Sequence, residues 1–165
     1  MSSSRICQAL HDEHRATIEF TERLEKLLAS SRRAPPDVND DFTQRLLRDI
    51  PAAVGPTLLR HFDFEESRLF TILAETGDAA IGAHLTDEHD VMREQGRELA
   101  ALAREAAAAG FDAARWQAFR RVAADLGARL LGHVQKEEMV LPPLLEETLA
   151  PESDAELHLA YTASH

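Results

Sequence analysis

The sequence predicts an all-α protein that folds as a four-helix bundle, and three observations support this prediction. The chain has 165 residues, of which 44% are apolar and only 5% aromatic, and its many Ala and Leu residues favour helices over sheet. Apolar residues recur at alternating spacings of three and four, as on the buried side of packed helices. A motif of His and acidic residues occurs twice, so we also expect an internal two-fold pseudo-repeat.

Periodicity and proline positions define the first two helices. The inward side of the first helix is predicted to consist of Cys7, Leu10, His14, Thr17, Thr21, Leu24 and Leu28. The Pro35-Pro36 pair then predicts a loop. A second helical region begins near Asn39 or Asp40, and Pro51 and Pro56 predict that it is kinked or broken, because proline has no backbone N–H to donate.

Stop signals and capping residues separate the last two helices. Gly77 followed by Asp78 indicates the end of one helix and the N-cap of the next. Gly110 and Asp112 repeat this signal before the fourth helix, which two prolines near its end are expected to kink or terminate. Residues 1–150 are therefore predicted to form the bundle, and residues 151–165 a polar C-terminal tail.

Composition excludes several classes of function. The chain carries 29 acidic and 18 basic residues and a formal net charge of −11, and no stretch concentrates basic and aromatic residues, so we expect no nucleic-acid partner. Cys7 is the single cysteine, which rules out an internal disulfide and favours a reducing compartment. Because neither a signal peptide nor a membrane span is apparent, we predict a cytoplasmic protein without a membrane partner.

The repeated motif consists of residue types that bind metals. The first element, Leu10-His11-Asp12-Glu13-His14, recurs as Leu85-Thr86-Asp87-Glu88-His89. The second, with His61, Glu65, Glu66 and Leu69, recurs with His133, Glu137, Glu138 and Leu141. Each half therefore contains one lone His and one His-x-x-x-Glu pair, and His and Glu seldom fill cores but often ligate metals.

Helical spacing brings these residues to one point. Residues four apart lie on the same face of a helix, about 6 Å apart along its axis, so His61 with Glu65 can present an imidazole and a carboxylate together. His133 with Glu137 can do the same from the fourth helix. His14 and His89 each add an imidazole from another helix. Because two buried carboxylates without positive partners are strongly unfavourable, we expect metal cations between them.

The ligand types indicate which metal to expect. Imidazole and carboxylate without thiolate suit iron, manganese or zinc, and two symmetric Glu residues suit bridges between two ions. Two six-coordinate ions offer roughly twelve positions, of which four His, two bridging Glu and one bridging oxide or hydroxide fill about ten. The open positions suit a small diatomic ligand. Zinc prefers about four ligands, so iron is favoured and zinc or manganese less so.

The ordered pattern of lone His and His-x-x-x-Glu pairs resembles that of the hemerythrin-like family, also called HHE cation-binding domains, from about Leu10 to Leu145. The resemblance implies an antiparallel four-helix bundle with a non-haem di-iron centre. Its implied ligands are His14, His61, Glu65, His89, His133 and Glu137. Oxygen-carrying hemerythrins have a further His where this chain has Leu85, and they have an Asp at a spacing of five where this chain has Glu137. These departures argue against a reversible oxygen carrier.

Several residues near the motif have roles that the sequence leaves open. His11 and His84 are alternative candidates for a seventh ligand, or else half-exposed residues near helix starts. Glu13, Glu66, Glu88 and Glu138 are either solvated charges or outer residues that orient the imidazoles. Tyr161 is the one tyrosine and is expected to lie outside the bundle, so no tyrosine is expected beside the metals.

Three classes of function fit this pattern. The preferred one is a di-iron protein that binds or senses oxygen or nitric oxide. The second is a di-iron enzyme of oxidative or nitrosative stress defence, acting in peroxide or iron oxidation or in repair of iron centres. The third is iron buffering or iron-dependent regulation through a protein partner. The sequence does not determine whether the protein is an enzyme or what its oligomeric state is.

Overall fold

The computed structural model describes residues 4–164, which form helices and short connections without any strand. In chain order the α-helices are α1 (Arg5–Ser30), α2 (Asp41–Ala52), α3 (Leu58–Phe64), α4 (Phe70–Glu75), α5 (Ala79–Ala109), α6 (Ala113–Thr148) and α7 (Pro151–Ser164). Two π-helical segments, π1 (Ala53–Thr57) and π2 (Glu65–Leu69), connect α2, α3 and α4. Helix α1 packs along α6, α2 along α5, and α5 along α6. The predicted all-α helical bundle is thereby confirmed.

The helix ends follow from local sequence. The Asp40 carboxylate accepts a hydrogen bond from the backbone N–H of Thr43 at 3.2 Å and caps α2. Asp112 caps α6 in the same way, with a bond of 2.7 Å from the N–H of Arg115. Both groups satisfy a backbone donor that lacks a partner within the helix. Gly77 and Gly110 have φ angles of 97° and 80°, a conformation that ends a helix at little cost only for glycine.

The prolines have different effects along the chain. Pro51 lies inside α2 and Pro56 inside π1, and the backbone leaves helical geometry at the residue before Pro56, Gly55, with φ −97° and ψ −110°. By contrast, α6 continues through Pro142 and Pro143 to Thr148. The helix therefore does not terminate at this pair, although each proline removes one intrahelical donor.

Two apolar clusters hold the helices together at opposite ends. The Trp116 cluster includes Phe20, Leu24, Leu27, Leu46, Ile50, Val54, Leu58, Phe62, Met92, Leu99, Trp116, Phe119, Leu126 and Leu130. The Tyr161 cluster includes Ile6, Cys7, Leu10, Phe64, Leu69, Phe70, Leu73, Leu85, Leu141, Leu145 and Tyr161. Along α1, His14 follows the Tyr161 cluster and precedes the Trp116 cluster. His89 on α5 lies between them in the same way, so the repeated polar residues occupy a layer between two apolar ones.

Helix α7 occupies the polar C-terminal segment that the sequence separates from the bundle. Pro151 begins it, as suits a first helical position that needs no donor. The Asp154 carboxylate accepts hydrogen bonds from the Ser4 hydroxyl at 2.5 Å and from the backbone N–H groups of Arg5 and Ile6 at 2.9 and 3.1 Å. A carboxylate at a helix N-terminus also interacts favourably with the helix dipole. These contacts fasten α7 to the start of α1.

None of the helices in the described part of the chain is both long and apolar enough to cross a membrane.

Close packing of α5 against π1 depends on Gly96. A Cβ atom at this position would lie 2.9 Å from the carbonyl oxygen of Val54, which is shorter than van der Waals contact allows. We therefore expect Gly96→Ala to lower the free energy of unfolding by about 1–3 kcal/mol. Urea denaturation measures this change.

The matched control is Gly127→Ala in α6, where an added Cβ would meet nothing within 4 Å. This variant should be more stable by about 0.5–1 kcal/mol, because alanine favours the helix over glycine. If both variants gained stability equally, the close approach of α5 and π1 would be wrong.

Candidate metal centre

Six buried side chains from five helical segments converge in the polar layer. They are His14 from α1, His61 from α3, Glu65 from π2, His89 from α5, and His133 and Glu137 from α6. Each has at most 6% of its surface exposed, and His89, Glu65 and Glu137 have none. Since each segment presents the inward side of its helix here, the fold brings together all six residues that the sequence singles out.

The six residues form two overlapping groups. One contains His14, His61, Glu65 and Glu137, and the other contains Glu65, His89, His133 and Glu137. Within each group, one nitrogen or oxygen atom per residue lies within 4.8 Å of the others. Both carboxylates belong to both groups, so each group could hold one metal ion and the carboxylates could be shared.

The inward-facing atoms lie close together. Nε2 of His61 is 2.6 Å from Oε1 of Glu65, and Nε2 of His133 is 2.6 Å from Oε1 of Glu137. Nε2 of His14 is 3.0 Å from the other Glu137 oxygen, Oε2. Nε2 of His89 lies 3.5 Å from Oε1 of Glu137. The imidazoles thus point at the carboxylates rather than at solvent.

A second layer of carboxylates holds the outer nitrogen of each imidazole. Nδ1 of His14 donates to Glu138 at 2.6 Å, His61 to Glu13, His89 to Glu66 at 2.8 Å, and His133 to Glu88 at 2.9 Å. Because a carboxylate only accepts, Nδ1 carries the proton, and in the neutral ring Nε2 is left with an inward-pointing lone pair. These four Glu residues, called the outer carboxylates below, therefore orient the imidazoles.

The arrangement fits a bound cation. Nε2 of His14 and both oxygens of Glu65 and Glu137 are buried and make no hydrogen bond among the described residues. Unpartnered buried acceptors are costly, and buried carboxylates more so. A metal ion can bind the lone pairs of such atoms when no hydrogen-bond donor is present. Imidazole nitrogen and carboxylate oxygen are common ligands of transition metals. The residues present thus suit a metal cation.

Protons replace part of that positive charge when no cation is present. Burial, followed by the charge of Glu137, raises the pKa of Glu65 to about 8. Burial also acts to raise the pKa of Glu137, but its contacts with the Glu65 carboxyl group and the imidazoles outweigh this and lower it well below the usual range. An oxygen of Glu65 and an oxygen of Glu137 lie within 4.8 Å of each other, so ionising both is costly and the pair holds a proton.

Burial would lower the pKa values of His14, His61 and His133, but neighbouring Glu residues outweigh it. Carboxylate contacts and charges raise all three, and that of His61 most clearly. The metal-free centre therefore retains protons on these groups near neutral pH, and a cation that enters it must displace them.

Aromatic rings cover the His89 side of the centre. Phe62 stacks on His89 with ring centroids 3.9 Å apart and an angle of 11° between planes, and Phe70 stacks on it at 5.5 Å and 23°. Phe62 also meets the His133 ring edge-on at 5.9 Å. These rings exclude water from the imidazoles and restrict their rotation. Nothing in the helical spacing of Phe62 distinguishes it from an ordinary core residue.

His11 and His84 lie outside both ligand groups. Nδ1 of His11 is 3.5 Å from the outer carboxylate of Glu138, and Nε2 of His84 is 3.6 Å from that of Glu88. More than half of each side chain is exposed. In this structure both residues contact the outer carboxylates rather than the inward-facing atoms.

The outer carboxylates also have partners of different charge. Glu66 is bonded by Arg93 at 2.5 Å and Glu88 by Lys136 at 2.6 Å. On the other side, Glu138 faces His11, and Glu13 accepts a hydrogen bond from the hydroxyl of Tyr161. Tyr161 is thus placed close to the centre, contrary to the expectation that it lies apart from the bundle. The position of Tyr161 could not be predicted from the sequence, because it depends on how α7 packs against the other helices.

These features describe a helical domain with buried His and Glu side chains that could hold a cation. A family model described as Hemerythrin HHE cation binding domain matches residues 5–145. The chain belongs to the hemerythrin HHE cation-binding family, as its motif predicts. A comparison with curated proteins gives no match.

The raised pKa values predict how stability depends on pH. Without metal, the folded protein holds protons on Glu65, His14, His61 and His133 that the unfolded chain releases at its ordinary pKa values of 4.5 and 6.5. Their contribution is complete below those values and is lost as the pH rises towards the folded values. The free energy of unfolding should therefore fall between about pH 5 and pH 8, as urea denaturation with a chelator present would measure.

Glu65→Gln should reduce the slope of this dependence, because glutamine does not titrate and one of the four proton-holding groups is lost. Glu75→Gln, at an exposed position on α4, is the control and should keep the wild-type slope. A free energy of unfolding that rises from pH 5 to pH 8 in the metal-free protein would show that the folded centre does not retain these protons.

Proposed function

We propose that the protein is a non-haem di-iron protein that binds or senses a diatomic ligand, oxygen or nitric oxide. His14 and His61 would hold one ion and His89 and His133 the other, with Glu65 and Glu137 shared. The observation that carries the proposal is the convergence of buried, unpartnered carboxylate oxygens and an imidazole nitrogen between two apolar clusters. Such a site is costly without cations.

Charge supports two ions rather than one. Glu65, Glu137 and the four outer carboxylates carry six negative charges when ionised. Among residues 4–164, the Arg and Lys side chains that contact them are Arg93 and Lys136. Four negative charges then remain while the imidazoles are neutral, and two divalent ions would neutralise them. One ion would leave an uncompensated pair in a site of low dielectric.

We infer that iron is favoured over zinc, although the number of ligand residues in each group does not exclude zinc. Each group offers four residues, the number that zinc prefers. A six-coordinate ion held by four protein atoms keeps positions for a small ligand, which suits iron and its redox chemistry. When bound, iron would supply that reactive coordination position. Metal analysis of the purified protein distinguishes iron from zinc and manganese.

The surroundings suit an uncharged ligand. Phe62 and Phe70 cover the His89 side. A cavity of about 200 Å³ adjoins His61 and Glu13, and its other walls are mainly apolar, with Phe20 and Leu58 among them. Apolar walls favour uncharged molecules over water and ions. Oxygen and nitric oxide are small and uncharged, which supports the proposal.

The contacts of the outer carboxylates support the proposed antiparallel four-helix arrangement and its two-fold pseudo-repeat. Glu13, just before His14, bonds His61, and its counterpart Glu88, just before His89, bonds His133. Glu66 and Glu138, which follow the shared Glu residues, bond His89 and His14 in the same reciprocal way. We propose residues 1–150 as this bundle and residues 151–165 as an appended segment.

Anaerobic spectroscopy tests the function. The reduced, iron-loaded protein should contain two irons per chain and should develop a new visible absorption band when exposed to nitric oxide or oxygen. The same protein reconstituted with zinc is the control and should develop none. Two irons without any gas-dependent band would contradict ligand binding, and sustained turnover of peroxide above the rate of free iron would favour the enzyme instead.

Loss of a shared carboxylate should abolish the paired centre. Glu65→Ala and Glu137→Ala each remove atoms from both ligand groups, so the remaining carboxylate would have to hold two mutually repelling ions. We expect metal content to fall from two ions to one or none. Elemental analysis after desalting measures this.

Glu75→Ala at an exposed site on α4 is the control and should retain two ions. Full loading of either Glu65→Ala or Glu137→Ala would show that these carboxylates are not shared ligands.

A further inference from the structure

Tyr161 connects α7 to the candidate centre. It lies beyond the residues that the family model matches, and its side chain is buried in the Tyr161 cluster. Its hydroxyl donates a hydrogen bond to the Glu13 carboxylate, and Glu13 accepts another from Nδ1 of His61. A hydrogen-bonded chain therefore runs from α7 to an imidazole of the centre.

The position of the Tyr161 ring is fixed from two sides. The ring meets Phe64 edge-on, with centroids 5.3 Å apart and an angle of 79° between planes. Phe64 directly precedes Glu65, so the contact joins α7 to the segment that carries two of the inward-facing groups. At its other end, α7 is fastened to α1 through Asp154. The direction of the hydroxyl is thus set by packing.

The other outer carboxylates show what such a contact does. Glu66 and Glu88 are held by the charged side chains of Arg93 and Lys136, which come from α5 and α6. Tyr161 instead offers a single directed O–H group. Burial first, and then the hydrogen bond to Glu13, raise the pKa of Tyr161 well above its usual range, so the phenol stays neutral. It can orient Glu13 without neutralising it.

We propose that Tyr161 is a positioning residue of the metal centre, which fixes the ring of His61 through Glu13 so that α7 completes one half of the site. The inference rests on the proposed metal binding. Without the hydroxyl, the Glu13 carboxylate loses one of the bonds that hold it against Nδ1, and the inward Nε2 of His61 is aimed less well. Removing such a contact typically lowers metal affinity by about 10–100-fold.

The test uses the full chain and Co²⁺, whose visible absorption reports the geometry of its ligands. Tyr161→Phe keeps the ring against Phe64 and removes only the hydroxyl. Titration against a competing chelator should show about tenfold weaker binding of one of two ions, with a change in that ion's absorption. Glu13→Gln should weaken the same ion, and the double variant should be no weaker than Glu13→Gln alone, because the residues act in series.

Two control variants separate this effect from general loss of stability. Thr162→Val removes a hydroxyl that bonds the carbonyl oxygen of Leu159 on the exposed side of α7, and it should bind both ions as the wild type does. Glu88→Gln should weaken the other ion, because Glu88 orients His133.

The inference would be overturned by unchanged affinities and absorption in Tyr161→Phe, by an equal loss for both ions, or by fully additive effects of Tyr161→Phe and Glu13→Gln. A lower unfolding free energy of metal-free Tyr161→Phe with normal ion binding would likewise show a purely structural role and overturn it. Failure of the wild-type protein to bind Co²⁺, iron or zinc would instead overturn the proposed metal function on which the inference rests.

Discussion

The structure depends on the burial of two carboxylates, Glu65 and Glu137, at the centre of a helical protein. Neither has any exposed surface, and among residues 4–164 their ion-pair partners are His side chains rather than Arg or Lys. Protons on Glu65 and on the imidazoles relieve this in the metal-free state, and the proposed metal cations would relieve it more completely. The carboxylates need this compensating positive charge because the two apolar clusters exclude water on both sides of the polar layer.

The outer carboxylates follow from helix geometry once the inner residues are in place. Neighbouring residues on a helix point about 100° apart, so a residue next to an inward-facing one points towards an adjacent helix. Glu13, next to His14, therefore reaches His61, and Glu88, next to His89, reaches His133. Paired acidic and His residues in sequence thus become an inner and an outer layer in space.

This geometry explains how much of the site could be predicted from the sequence. The His-x-x-x-Glu spacing of His61 and Glu65 requires only one helix, so their convergence was predictable. The partner of Glu13 depends on how two helices pack, and no local pattern contains that information. Sequence reasoning left this role open, although the presence of an equivalent Glu88 in the repeat was a usable signal.

The fold was predictable to a similar extent. Capping by Asp40 and Asp112 is local, and both caps lie where the sequence predicts them. Helix α7 was missed because its segment is largely polar in sequence; it packs against the Tyr161 cluster through Leu157, Ala160 and Tyr161, and Asp154 bonds it to the start of α1. The sequence left open whether Pro142 kinks α6 or ends it, and the helix continues: Leu141 and Leu145 are fully buried on either side of it, and this packing offsets the lost hydrogen bonds.

The pseudo-repeat makes the inner ligands of the two halves alike, but their outer partners differ. On the His89 and His133 side, Arg93 and Lys136 draw charge from the carboxylates that the imidazoles bond. On the His61 side, Glu13 accepts a hydrogen bond from the neutral phenol of Tyr161 instead. Since outer partners tune how strongly an imidazole donates to a metal, the two sides differ in this respect. Two ions in equivalent inner ligand sets would therefore experience different fields.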